Sequence, residues 1–355
     1  LHDIKIPDPY RWLEDLNSEQ TSAWVKAQNS LTDSYLDTSP GRKALENHLT
    51  KLWNVERLGV PSFEGGYYFF SKNNGLQNQS VLYSTKSLDL EPTVLLDPNN
   101  LSRDGTVALN SYEVSPNGKY LAYSTSASGS DWVEWKVREI SSGKDLPDHL
   151  KWSKFSGASW AKNSKGFYYG RFPTPKNGEE MMAQNIHKKI YFHEIGKPQS
   201  EDLLVYERPN QPKQGLYAWI TEDGKYLLIQ VSQGTDTKNG LFYKDLSNPT
   251  SKVIELLPDF NASYDFITNL GSKFIIRTDL NAPKQKVISI DINEPLSDRW
   301  QTIIPESTET LRSVSHIGGL FIANYLKDAR TEIRRFKTDG NSLPPVKLPG
   351  LGTAT

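Results

Sequence analysis

The ten residues SPNGKYLAYS (115–124) hold a polar turn with glycine, a basic or small residue (here a lysine) and then a strand of aromatic and aliphatic side chains. The same phrase returns as SFEGGYYFF (62–70), AKNSKGFYYG (161–170), TEDGKYLLIQ (221–230), TNLGSKFIIR (268–277) and SHIGGLFIAN (315–324). Aligned on the turn residue, the copies fall at Gly65, Gly118, Ser164, Gly224, Gly271 and Gly318, with successive spacings of 53, 46, 60, 47 and 47 residues. One Asn-Gly or Asp-Gly turn between apolar stretches marks only a hairpin. Six copies of the whole phrase at near-regular spacing mark a repeat, because each is followed by a second strand and turn, as in LFYKDLSNP (241–249) and KVISIDINEP (286–295). Units of ~40–50 residues made of several short strands are propeller blades. The expected fold is therefore mainly β, a β-propeller with about six blades in this chain. The tail LPGLGTAT (348–355) follows the outer part of the sixth unit and offers no strand to latch onto the first, so the propeller is expected to be incomplete at its C-terminus.

Composition narrows the functional classes. The 355 residues carry 41 basic and 42 acidic side chains, a net charge of -1, with neither sign gathered into a run. Nucleic-acid binding needs a basic face that releases counterions from phosphates, and attachment to an anionic membrane needs a polybasic segment. Neither partner is expected. No apolar run has the length of a membrane span. With no cysteine, the chain has no disulfide, thiolate nucleophile or Cys-ligated metal. Its 17 Tyr, 13 Phe and 9 Trp, punctuated by 24 Gly and 21 Pro, suit aromatic strands joined by tight turns.

The first sixty residues break the β pattern. A helix is predicted from about Ser18 to Leu36, capped by Asn17 with Gln20 in capping-box position, and Trp24, Ala27, Leu31 and Tyr35 fall on one stripe. A second helix is predicted to follow Ser39 as cap and Pro40 at the first helical position, with Leu45, Leu49 and Leu52 on its stripe. Two such helices cannot bury both stripes alone.

Self-sufficient catalytic chemistry is not readable. A serine nucleophile elbow needs glycines flanking the serine, and no G-x-S-x-G occurs. The nearest stretch, SASGSDW (126–132), reads as a turn between strands of the second unit. Of the histidines His2, His48, His149, His187, His193 and His316, only His187 and His193 lie close together in sequence. At i, i+6 on one strand they would stand about 20 Å apart, too far to share a metal. Structural or solvent-facing histidines are the expectation. No metal or organic cofactor is implied.

DPYRWLED (8–15) and SEQTSAWVKAQN (18–29) closely resemble the start of the prolyl oligopeptidases, serine peptidases that cut peptides after proline. The resemblance continues through GLQNQSVLY (75–83), LLDPNNLSRDGTVAL (95–109), SPNGKYLAYSTSASGSDW (115–132), KFSGASW (154–160), NIHKKIYFH (185–193), SEDLLVYE (200–207) and TEDGKYLLIQVSQGTD (221–236). It thins after about residue 255.

In that family a seven-bladed propeller caps an α/β-hydrolase domain to which the N-terminal helices belong. The resemblance thus implies residues 1–55 as a helical segment of the hydrolase domain and 56–355 as the propeller, with serine, aspartate and histidine in a later segment. On this reading residues 1–355 alone are inactive. The resemblance also implies substrate-facing positions at Phe155 in KFSGASW, Thr235 in SQGTD and Gly215 near PKQGL, the last a departure from a bulky apolar side chain. The long stretch FPTPKNGEEMMAQN (172–185), with Met181 and Met182, resembles an interface loop that gates entry, and reads equally as a solvated insertion. The expected partners are proline-containing oligopeptides and the hydrolase domain of the same chain. A monomer in the cytoplasm is expected, the periplasm being the alternative because Leu1 is not an initiator methionine. The competing functional class is a stand-alone propeller that binds peptides or proteins; a propeller glycosidase rests only on abundant aromatics and carboxylates.

Overall fold

The computed structural model describes residues 5–354, so that His2 lies outside the described residues. The chain forms two compact units. The smaller comprises residues up to Ser62, Tyr68–Gly105 and Pro175–Ala183; the larger comprises Phe63–Tyr67, Thr106–Thr174 and the chain from Gln184 onward.

In the smaller unit, helix α1 spans Glu19–Asp37 and helix α2 spans Arg42–Trp53. The cap of α1 is Ser18 rather than Asn17: its hydroxyl accepts the Thr21 N–H at 3.2 Å, while the Thr21 hydroxyl donates to the Trp12 carbonyl at 3.2 Å. Either residue type can cap, and the sequence offers both side by side. Ser18→Ala is expected to cost about 1 kcal/mol, read as faster amide exchange in the first turn of α1. The second helix starts two residues later than Pro40 predicts. Gly41 stands at φ +83°, outside helical space, and caps without a side-chain bond. The predicted stripes exist and are open to solvent, with Trp24 43% and Leu45 58% exposed. The unit also carries sheet 1, whose hydrogen-bonded path runs Arg57–Leu58, Tyr67–Asn73, Val81–Thr85, Thr93–Leu96.

A fifth strand of sheet 1, Ser62–Glu64, pairs with Tyr67–Asn73 off that path, and five four-stranded antiparallel sheets follow in chain order, each with its strands adjacent in sequence order. Sheet 2 holds Val107–Val114, Tyr120–Ala127, Val133–Glu139 and Lys144–Ser153. Sheet 3 holds Ala158–Trp160, Gly166–Arg171, Lys189–Glu194 and Leu203–Tyr206. Sheet 4 holds Gln214–Ile220, Tyr226–Gln233, Asn239–Asp245 and Ile254–Leu257. Sheet 5 holds Tyr264–Leu270, Lys273–Thr278, Lys286–Asp291 and Gln301–Ile304; sheet 6 holds Thr310–Ile317, Leu320–Lys327, Arg330–Lys337 and Ser342–Leu343. The strand starts at Lys189, so His187, at φ +60°, precedes it and does not share it with His193 as the sequence suggested.

The six repeat positions share one backbone conformation. Gly65, Gly118, Ser164, Gly224, Gly271 and Gly318 have φ of +55, +67, +56, +76, +64 and +58°. Such left-handed turns let strands reverse tightly, which is why glycine fills five of the six. Before three of them, Asn117, Asn163 and Asp223 each accept the N–H of the lysine two residues on at 3.0 Å. Ser164 tolerates the strained position because its hydroxyl accepts the Asn117 N–H at 3.2 Å, joining the turn of sheet 3 to that of sheet 2.

Alternation along the strands fills two interiors at once. In Tyr226–Gln233, Leu227, Ile229 and Val231 pack toward sheet 3, and Leu228 packs toward sheet 5. In Lys273–Thr278, Phe274 and Ile276 meet sheet 4, and Ile275 meets sheet 6. A fourth cluster joins Trp135 and Leu150 of sheet 2 to Trp160 and Phe167 of sheet 3. Side chains buried on both faces give the unbroken apolar runs LLI and FII where a one-sided sheet would alternate with polar residues.

Candidate functional site

Residues 152–156, the end of the last strand of sheet 2 and the start of its link to sheet 3, form a strained segment fixed at every residue. Trp152 and Phe155 hold φ of +63 and +50°, costly conformations for aromatic residues. The Trp152 carbonyl accepts the Phe172 N–H at 2.9 Å. The Ser153 hydroxyl donates to the Gly170 carbonyl at 2.7 Å and accepts the Trp135 indole N–H at 3.3 Å. Lys154 places Nζ 3.8 Å from the Trp132 ring centre and 3.2 Å from Asn185 Oδ1. Lys188 Nζ donates to the Phe155 carbonyl at 2.6 Å, and the Ser156 hydroxyl accepts the Gly170 N–H at 2.7 Å. From this frame the Phe155 ring stands half exposed.

Lys188 is the unusual member. It is buried, its Nζ lies 4.2 Å from the centre of the Tyr217 ring and 5.8 Å from that of Phe172, and burial pushes its ammonium down to about 7. Gly170 makes room for it: a Cβ there would come within 2.6 Å of Lys188 Cε.

Gly215 is the second residue of the first strand of sheet 4, paired with Ser232, and the absent side chain would meet Ser232 Oγ at 2.4 Å and the Tyr217 ring at 3.3 Å. Thr235 is exposed in the turn beyond Gln233, where the Asp236 N–H donates to the Gln233 carbonyl at 3.1 Å. Phe155 and Gly215 thus meet through Lys188 and Tyr217, and Thr235 extends the same end of sheet 4. Phe155, Gly215 and Thr235 do not line either of two cavities of this unit. One, of 610 Å³, runs between Asp259, Tyr264, Lys286 and Trp300; the other, of 360 Å³, between Trp152, Phe172, Tyr191 and Gln199. Of the three predicted positions, Phe155 and Thr235 are exposed and Gly215 is partly buried. Met181 and Met182, in the long third-unit segment, are exposed.

A second polar cluster joins sheets 2 and 3. His193 Nδ1 lies 2.7 Å from Asp202 Oδ1 and Nε2 lies 2.9 Å from Asp148 Oδ1, with all three side chains fully buried. The Tyr169 hydroxyl donates to Asp202 Oδ2 at 2.5 Å, the Gly196 N–H donates to Asp148 Oδ1 at 2.7 Å, and Arg171 Nη1 stands 3.7 Å from Asp202 Oδ2. Burial opposes the imidazolium, but the two carboxylates outweigh it and hold His193 up at about 9. This is a structural histidine, as expected, and its partners 45 and 9 residues away were not readable from sequence.

One five-stranded and five four-stranded antiparallel sheets, consecutive along the chain after two helices, are the elements of a β-propeller domain. The chain belongs to the family described as prolyl oligopeptidase, N-terminal beta-propeller domain, whose model matches residues 1–355. It is 36% identical over 350 residues to the prolyl endopeptidase of Elizabethkingia miricola, covering 99% of this chain and 49% of that protein. To prolyl oligopeptidase A of Galerina marginata it is 32% identical over 383 residues, covering 99% and 52%. Among solved structures it is similar to one from a study of two prolyl endopeptidases and their inter-domain dynamics, with TM-score 0.76 at 36% identity over 99% of this chain and 51% of the other. Prolyl oligopeptidase B of Galerina marginata, bound to a 25mer macrocyclization substrate, gives TM-score 0.87 at 31% identity over 98% and 52%. The chain spans about half the length of the curated relatives it matches.

Proposed function

We propose that this chain is the N-terminal helical segment (1–55) and propeller (56–355) of a serine endopeptidase that hydrolyses short peptides after proline. The observation that carries this reading is the family match over residues 1–355, together with 36% identity to a protein named prolyl endopeptidase over about half of its length. The catalytic serine, histidine and aspartate belong, on this proposal, to the half of the relatives' length that residues 1–355 do not span. The propeller's part is to select: a substrate peptide packs against the half-exposed Phe155 ring, with Gly215 and Thr235 at the neighbouring end of sheet 4. The open stripes of α1 and α2 support a body that covers them, since two-helix stripes are not stable in water by themselves.

The test is expression of the whole gene product beside residues 1–355, each assayed with a chromogenic peptide cleaved after proline. The full product is expected to cleave and residues 1–355 to be inert. A gene that ends at Thr355, with a product that binds peptides and leaves them intact, would establish the stand-alone binding module instead. In the full product, Phe155→Ala is expected to raise KM about tenfold with kcat nearly unchanged, the cost of one aromatic contact made equally in ground and transition states.

A further inference from the structure

We propose that Lys188 positions Phe155 for peptide contact, by holding the Phe155 carbonyl inward so that the ring is presented to solvent. The inference rests on the reading of Phe155 given above and adds a residue to it. Three observations carry it. First, a left-handed aromatic residue persists only where its surroundings hold it, and the bond on the Phe155 backbone itself comes from Lys188 at 2.6 Å. Secondly, burying a lysine is costly, and among the described residues no carboxylate forms an ion pair with Lys188. Its ammonium is satisfied by one carbonyl and the faces of Tyr217 and Phe172. Thirdly, the fold clears a path for its stem, since Gly170 lacks the Cβ that would collide with it. A lysine that served only solubility would lie outside. Charged or neutral, the amine still donates, so the hold survives either state.

Lys188→Met keeps the length and apolar stem and removes the donor. In the full-length enzyme it is expected to raise KM about tenfold, the worth of one hydrogen bond from a charged donor, with kcat within about twofold. In a Phe155→Ala background, Lys188→Met is expected to change KM no further, because nothing remains to be positioned. An unchanged KM in the single variant, or KM increases that multiply in the double variant, would overturn the proposal; the second result would make Lys188 an independent peptide contact. A second measurement needs no peptidase activity. Chymotrypsin nicking after Phe155, followed by mass spectrometry on the purified chain, is expected to run about tenfold faster in Lys188→Met. An equal rate overturns the positioning role even if the wild-type enzyme cleaves after proline. A wild-type product without prolyl cleavage removes the reading of the previous subsection and leaves the nicking result to decide Lys188. Should Lys188→Met fail to fold, Lys188→Leu enters the same measurements with the same two outcomes.

Discussion

Replacing His193 by leucine is expected to destabilise the purified chain by about 3–5 kcal/mol, read as the urea midpoint of unfolding. The loss is large because it strands two buried carboxylates, Asp148 and Asp202, which then face an apolar side chain without their shared cation. The same cluster makes stability depend on pH in a definite direction. The His193 imidazolium is held at about 9 in the folded chain against 6.5 for an ordinary histidine, so the folded state binds the proton more tightly. Its contribution, about 3 kcal/mol for a rise of that size, is fully present below pH 6.5 and is lost as pH climbs through 9. Wild-type and His193→Leu midpoints should therefore be furthest apart near neutrality or below, and approach one another in alkali. A gap that widens above pH 9 would show that the histidine is neutral when buried.

The second large effect is expected at Gly118. An alanine there must accept φ +67°, and its Cβ would lie 2.0 Å from the Gly65 carbonyl oxygen, a backbone atom with no rotamer to yield. Gly318→Ala supplies the control. It takes the same repeat position at φ +58°, with nothing within 4 Å of the added carbon. The control should lose about 1 kcal/mol from conformation alone, and Gly118→Ala about 3 kcal/mol, the excess measuring the approach of the first two turns. Equal losses in the two variants would mean that no such approach exists in solution.

These two sites also mark what sequence could and could not disclose. Gly118 was legible because a left-handed turn leaves a chemical signature, a glycine or a small polar residue ahead of an apolar strand, and six recurrences turn a weak local signal into an architecture. Both-face burial leaves the runs LLI and FII, too short to be told by themselves from a buried helix segment. The caps were less legible than Gly118: Asn17 and Ser18 are equivalent by chemistry, and only the actual bond to Thr21 chooses between them. His193, Asp148 and Lys188 were opaque for a different reason. Each carries charge, and charge in a sequence reads as surface until the fold shows what encloses it. Lys188 is the first of two adjacent lysines in HKKIYFH, yet only it is buried against Tyr217, a ring 29 positions away in another sheet. The proposal for Phe155 comes from family resemblance alone, since an aromatic residue among so many has no distinguishing spacing.

The interleaved interiors have a consequence for how the larger unit comes apart. Sheets 3, 4 and 5 each lend one face to the sheet before and the other to the sheet after, so none owns a private core. An array coupled only to its nearest neighbours loosens from its rims, and damage at an inner member spreads in both directions. A lesion at Leu228 or Ile229 cuts into the middle of this series, whereas one at Phe336 strips only the last member, and the two should yield protease-resistant remnants of different length.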